Sequence, residues 1–259
     1  MAVERLSKVY FISVDQADSR QLISLKLTRL LKESRLFNCL DKGDRVAIKV
    51  HFGDEGNTGF VRPQYIRVIR DVIVKKQASC FVADTNTLYR GRRMNSEDHL
   101  ELAYQHKFTP DVVGAEVLIP DDTKEENISS VVINRKFVKT AKIARIFVEA
   151  EAIVDVSHFK GHMMTGFGGA IKNMGMGCAT REGKLVQHGD VAPVITRNKC
   201  VGCEVCVEAC PVEAISIKRE KAYLNSDKCI GCASCIAACK YNAIDVDWDA
   251  GEDTIQERM

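Results

Sequence analysis

Eight cysteines close to one end of this 259-residue chain carry its plainest chemistry. Cys200-x2-Cys203-x2-Cys206-x3-Cys210-Pro211 is followed by Cys229-x2-Cys232-x2-Cys235-x3-Cys239. Each cysteine recurs 29 residues later, as do Gly202/Gly231, Ala214/Ala243 and Ile215/Ile244, so the segment is an internal duplication. Short gaps of this kind let a backbone wrap one side of a metal centre and present three thiolates to it. Structural zinc also uses paired x2 spacings, but a zinc site takes four ligands and has no need of two runs of four. A secreted disulfide scaffold would instead spread its cysteines through a short chain. Cys39, Cys80 and Cys178 lie outside the runs and read as small packed residues.

A second group of reactive types lies just upstream. His158-Phe-Lys160-Gly-His162 runs into Gly166-Phe-Gly168-Gly169-Ala-Ile-Lys172-Asn173. Glycines ahead of a helix can present backbone N–H groups to an anion, and Lys172 would add charge from the first turn. His158 and His162 have the i, i+4 spacing of a metal pair on a helix, although Gly161 between them favours a loop. The segment is neither a Walker motif nor a clean dinucleotide fingerprint. Lys160, Lys172, Asn173, Arg181, Lys184 and His188 together suggest a binding site. Two earlier polar loops each follow a predicted strand. One holds His51, Asp54 and Asn57, ending at Arg62-Pro63; the other holds Asp84, Asn86, Tyr89, Arg92 and Arg93. Their arginines suit a carboxylate or phosphate through bidentate contacts.

These residues need elements to position them. Apolar, β-branched stretches predict strands at Lys8–Val14, Arg45–Val50, Ser79–Ala83, Glu116–Ile119, Ser130–Val138 and Ala152–Ser157. Helical spacing predicts helices over Ser19–Phe37, from Pro63 to about Lys76, and over Ser96–Lys107 with Ser96 as N-cap. The alternation implies an α/β fold, a mainly parallel sheet with helices on both faces. Its strand ends would deliver the three polar loops to one edge. We expect an α/β domain over residues 1–194, a small α+β domain over 195–250 and a charged tail over 251–259.

Composition excludes other classes. Hydrophobic residues make up 46% and charged residues 28%, which describes a globular chain. The net charge of +2 argues against a nucleic-acid binder. The longest apolar stretch, Ala144–Val156, is broken by Glu149, Glu151 and Asp155, and the N-terminus has no apolar leader. The expectation is a cytoplasmic protein with no membrane and no nucleic acid among its partners.

The cysteine repeat resembles the bacterial two-cluster ferredoxin module. That resemblance implies two [4Fe–4S] clusters with crossed ligation. One takes Cys200, Cys203, Cys206 and Cys239; the other takes Cys229, Cys232, Cys235 and Cys210. Lys49-Val-His51-Phe-Gly, Asp84-Thr-Asn86-Thr and the segment from His158 to Arg181, followed by this module, resemble the domain-of-unknown-function 362 family. This implies an α/β domain with a ferredoxin-like appendage and no settled reaction. A fainter likeness is to the nickel-pincer lactate racemase family, through Arg62-Pro63, His162, Gly168-Gly169, Lys172 and His188 in that order. It would make Lys172 a cofactor attachment and His188 a metal ligand.

The expected function is an electron relay through two [4Fe–4S] clusters, to or from a small anionic substrate or cofactor in the α/β domain. The candidate residues there are His51, Arg62, Asp84, Asn86, Arg92, His158, Gly168, Gly169 and Lys172, and the partner is a redox protein or a small-molecule anion. The alternative is a non-redox enzyme, or a protein holding a further metal or anionic cofactor, centred on His162, Lys172 and His188 with structural clusters.

Overall fold

The computed structural model describes residues 8–89, 91–162, 166–188, 193–229, 233–246 and 258. In chain order it runs α1 (Arg20–Ser34), β1 (Arg45–Val50), α2 (Pro63–Lys75), β2 (Ser79–Ala83), α3 (Ser96–Gln105), α4 (Pro110–Val113) and β3 (Glu116–Leu118). Next come β4 (Ile128–Val132), β5 (Thr140–Ala144), α5 (Arg145–Val148), β6 (Ala152–Val156), β7 (Lys160–His162), β8 (Gly166–Gly168), α6 (Ala170–Gly175) and α7 (Arg181–Gln187). The cysteine-rich part holds β9 (Val194–Ile195), α8 (Val205–Glu208), β10 (Ile215–Lys218), β11 (Lys221–Leu224), α9 (Ser234–Ala238) and β12 (Ile244–Asp245).

The main sheet has the order β3-β2-β1-β6, and every pairing in it is parallel. Parallel strands need crossovers, and the helices supply them. Five consecutive residues of β1, Val46 to Val50, are buried, as suits a strand covered on both faces. Side chains alternate between those faces. Val46, Ile48 and Val50 join Ile66, Ile69 and Ile73 of α2 in the larger core. Ala47 faces the other way, with Phe81, Ala83, Phe147 and Cys178. Lys49 shares that second face, although its side chain is fully buried.

Sequence and structure differ at three places. Lys8–Val14 forms no strand: Val9 is 89% exposed and Phe11 85%, with no neighbouring strand paired to the segment. The segment predicted as one strand over Ser130–Val138 is instead the first arm of an antiparallel hairpin, β4 with β5, whose turn takes up Asn134 with φ +49°. The N-cap of α3 is Asn95, whose side chain accepts from the Asp98 N–H, one residue before the predicted Ser96. As Gly161 suggests, His158 and His162 do not share a helix: β7 and β8 form a short hairpin that opens just after His158.

The cysteine repeat folds as two matching halves. Pairing crosses between them: β9 of the first half joins β12 of the second, and β10 joins β11. Left-handed residues recur at the same interval of 29, as Glu204 and Ala233 and as Glu213 and Asn242. The core of this unit takes in Leu88 and Met94 from the loop after β2 and Leu185 from α7, so it is continuous with the α/β part.

Candidate functional site

In the main sheet, β2 and β3 lie to one side of β1 and β6 to the other. β1 and β6 are adjacent and parallel, so the loops that leave them start from the same carboxyl edge, where open α/β sheets bind ligands. His51 follows β1 there. Lys160 follows β6, and the hairpin β7–β8 then leads into α6.

Two polar centres meet at this edge. The first is a buried network. The Lys49 Nζ lies 2.9 Å from Asp84 Oδ1 and donates to Asn173 Oδ1 at 2.7 Å. Asn173 donates in turn to Asp155, which also accepts from the Ser157 hydroxyl. The Arg93 Nη2 donates to Asp84 Oδ2 at 3.0 Å, and its Nε to His99 Nε2 at 3.2 Å. Its Nη1 reaches Asp54 at 3.0 Å and the Tyr89 hydroxyl at 2.8 Å. Burial alone would favour a protonated Asp84. Lys49 and Arg93 outweigh it and hold the carboxyl far below the carboxylate range. Burial pushes His99 down to about 3, so the ring is neutral. Its remaining nitrogen, Nδ1, faces Asn86 Oδ1 at 3.3 Å.

The second centre is cationic. Lys172 of α6 contacts His162 Nε2 from β7, and both feel the charge of Lys160. His188, which ends α7, feels Lys172 and His162. Burial, and then Lys160, lower the Lys172 amine to about 8. Burial, then Lys172 and His162, take His188 down to about 4. Among the described residues, no carboxylate forms an ion pair with Lys160 or Lys172. Gly168 lies against both lysine stems: a Cβ there would stand in ordinary contact, 3.6 Å from Lys160 Cγ and 3.9 Å from Lys172 Cδ. At six residues α6 is short, so side-chain charge rather than a helix dipole defines this centre.

The remaining candidates are spread around the two centres. Asp84 and Asn86 belong to the buried network, where the Asn86 amide also donates to Ser96. Arg62 caps α2, with its guanidinium over the Phe60 ring. Arg92 points to Glu101, Gln105 and Glu55. His158 is exposed beside Gly59. Gly169 precedes α6, against the Phe159 ring. Arg181 is locked to Asp122 at 2.9 Å, and Lys184 is buried, donating to Thr85 Oγ1 and to the carbonyls of Asn86 and Ala179. Sequence reasoning missed Lys49, His99 and Asp155. A single lysine inside the apolar run Val46–Val50 was the available signal.

In the cysteine unit, Cys200, Cys203, Cys206 and Cys239 line one pocket, together with Val201, Ile217 and Tyr241. Burial raises the Cys206 thiol, and the neighbouring Cys239, Cys200 and Cys203 act in the same direction. Backbone N–H groups donate to sulfur at Ala222→Cys200 (3.3 Å), Ala243→Cys239 (3.4 Å) and Ala214→Cys210 (3.2 Å). Among the described residues, no three His, Cys, Asp or Glu side chains are gathered to hold a single metal ion. Thiolates on one zinc stand about 4 Å apart, whereas those on a cubane sit at its corners and stand wider. Cys232 lies outside the described residues. A cleft of about 1160 Å³ separates this unit from the β4–β5 hairpin; Lys142 and Arg145 line one wall, Pro211 and Ser234 the other.

Fold and site thus define an α/β part with polar loops at the carboxyl edge of its sheet, joined to a duplicated cysteine unit. The chain belongs to the family described as Domain of unknown function (DUF362), whose sequence profile matches residues 46–244 and so includes both cysteine runs. No curated protein matches it. A solved structure similar to it is the lactate racemase apoprotein from Thermoanaerobacterium thermosaccharolyticum, at 15% identity and a TM-score of 0.45. The match covers 84% of this chain and 46% of that one, so the chain spans less than half of that protein's length. Among the described residues, no helix is long and apolar enough to cross a membrane.

Proposed function

We propose that this protein holds two [4Fe–4S] clusters in its cysteine unit and passes electrons to or from a small anion bound at Lys160, His162, Lys172 and His188. The observation that carries the reading is the crossed pairing of the two halves, which sets Cys239 of the second run in one pocket with Cys200, Cys203 and Cys206 of the first. The donor set fits such a group: it is all sulfur, and backbone N–H groups point at three of the thiols. Bound clusters supply one-electron chemistry, and N–H···S bonds are among the features that tune their potential. The protein's own groups do the rest. Lys160 and Lys172 attract and orient an anion. Lys172, with an amine near 8, holds or releases a proton beside it, while burial and the two lysines keep His162 below its ordinary value and its ring neutral. Leu185 lies one turn from His188 and packs into the cysteine unit, which ties the anion site to the cluster site.

Anaerobic reconstitution with iron and sulfide tests the clusters. Eight irons per chain and a reducible EPR signal are expected; fewer than about six would overturn two full cubanes. A second reading has its own observation, the convergence of Lys172, His162 and His188 that the charges on each record. In it the clusters are structural and the chemistry is non-redox, with Lys172 as a nucleophile or cofactor attachment. The Lys172→Ala protein separates the two. An unchanged cluster potential with lost turnover under non-reducing conditions favours the second reading; turnover that needs an electron donor favours the first.

A further inference from the structure

The loop after β1 contains a conflict that its own atoms do not resolve. The His51 Nδ1 lies 2.9 Å from the Gly53 N–H, and its Nε2 lies 2.7 Å from Arg93 Nη1. Both neighbours are donors. A neutral imidazole has one lone pair and one N–H, so it can accept from only one of them. Whichever nitrogen carries the proton, an N–H is aimed at an N–H. Protonating the ring makes matters worse, and burial, then Arg93, drive His51 down to about 3. Among the described residues, the carboxylate within 4 Å of the ring is Asp54, with Oδ2 3.8 Å from His51 Nε2, too far for a hydrogen bond. Asp54 Oδ1 meanwhile accepts from Arg93 Nη1 and from the Tyr89 hydroxyl at 3.1 Å. Burial works against an ionised Asp54, but Arg93 overrides it and keeps the carboxyl below its ordinary value.

Guanidinium, phenol and imidazole thus converge on a place filled by one side-chain carboxylate. That carboxylate satisfies two of the three. Asp54 is 38% exposed on its side chain and His51 31%, so solvent reaches both. Gly53 at φ +91° and Gly56 at φ +71° flank Asp54 in conformations that glycine adopts freely. We propose that His51, Arg93 and Tyr89 form a binding site for a small carboxylate, and that Asp54 occupies it as an internal stand-in that the ligand displaces. A ligand carboxylate that parts Nη1 from Nε2, now 2.7 Å apart, accepts from Arg93, from Tyr89 and from a proton on His51 Nε2. It leaves His51 Nδ1 free to accept from Gly53, so every donor is matched. The site rests on neither Lys172 nor the cysteines, so it stands or falls apart from the function proposed above.

Acetate is the probe. An internal carboxylate competes at high effective concentration, so its removal unmasks the site. Calorimetric titration of the full chain should show Asp54→Ala binding acetate about tenfold more tightly than the unaltered protein. In NMR spectra of the histidine-labelled protein, the His51 ring resonances should move on titration. Asp54→Asn keeps the side-chain shape and should behave as Asp54→Ala does. Adding His51→Gln to Asp54→Ala should reverse the gain. Equal affinity with and without Asp54, or acetate shifts confined to His162 and His188, would overturn the proposal.

Discussion

The two polar centres at the sheet edge hold similar residue types and treat charge in opposite ways. In one, Lys49 and Arg93 share the Asp84 carboxylate, and Asn173 carries the network on to Asp155. In the other, Lys160, His162, Lys172 and His188 crowd together, and no described carboxylate pairs with either lysine. Buried charges that find partners are held rigidly and hold the fold. A cluster of like charges raises its own energy, and it relaxes when an anion arrives. The first centre is therefore architecture, and the second is the one we propose receives an anion, although one helix, α6, supplies both Asn173 and Lys172.

The sharpest way to break this contrast is to remove one charge from each centre. Asp84→Ala strands Lys49 and Arg93 in the interior and should lower stability by about 3–5 kcal/mol in urea unfolding. Lys172→Met relieves repulsion and should leave stability unchanged or slightly raised. Equal losses from the two would erase the distinction. Lys184 extends the architectural side: its Nζ donates to three neutral oxygens while buried. Lys184→Met orphans those acceptors and should cost about 2–4 kcal/mol in thermal unfolding. The smallest effect concerns pH. Lys172 is depressed from 10.5 to about 8, so between those values the unfolded chain binds more protons than the folded one. Its contribution to stability therefore rises as pH climbs through that window. At pH 8 an amine-reactive reagent should modify Lys172 ahead of the other solvent-accessible lysines; peptide mapping that found it no faster would remove its special character.

Much of the architecture could be read from residue pattern. β1, β2, α2 and β6 lie where periodicity placed them, because long apolar runs and a proline at the first helical turn are local signals. Lys8–Val14 misled because a β-branched run forms a strand only if a partner edge is present, which is not a local property. The site was legible by loop and less so by residue. Arg92 and Arg93 are adjacent and alike in sequence, yet only Arg93 turns inward to Asp84. That choice depends on the direction in which the chain leaves β2. Lys184 and Arg181 read as ligand-binding cations, but α7 turns both toward acceptors inside the protein. Charge can be counted in a sequence, whereas its partner has to be seen.

Gly177 carries a consequence for relatives of this chain. Any side chain there would strike the Asn173 carbonyl, and its Cβ would come within 2.8 Å of the Lys49 Nζ. The carbonyl of Gly177 also accepts from Thr85. Lys49, Asn173 and Gly177 are thus one structural letter written at three places. In an alignment of the family they should be kept or lost as a set. A member with a larger residue at 177 would be expected to have abandoned the lysine in its first strand as well.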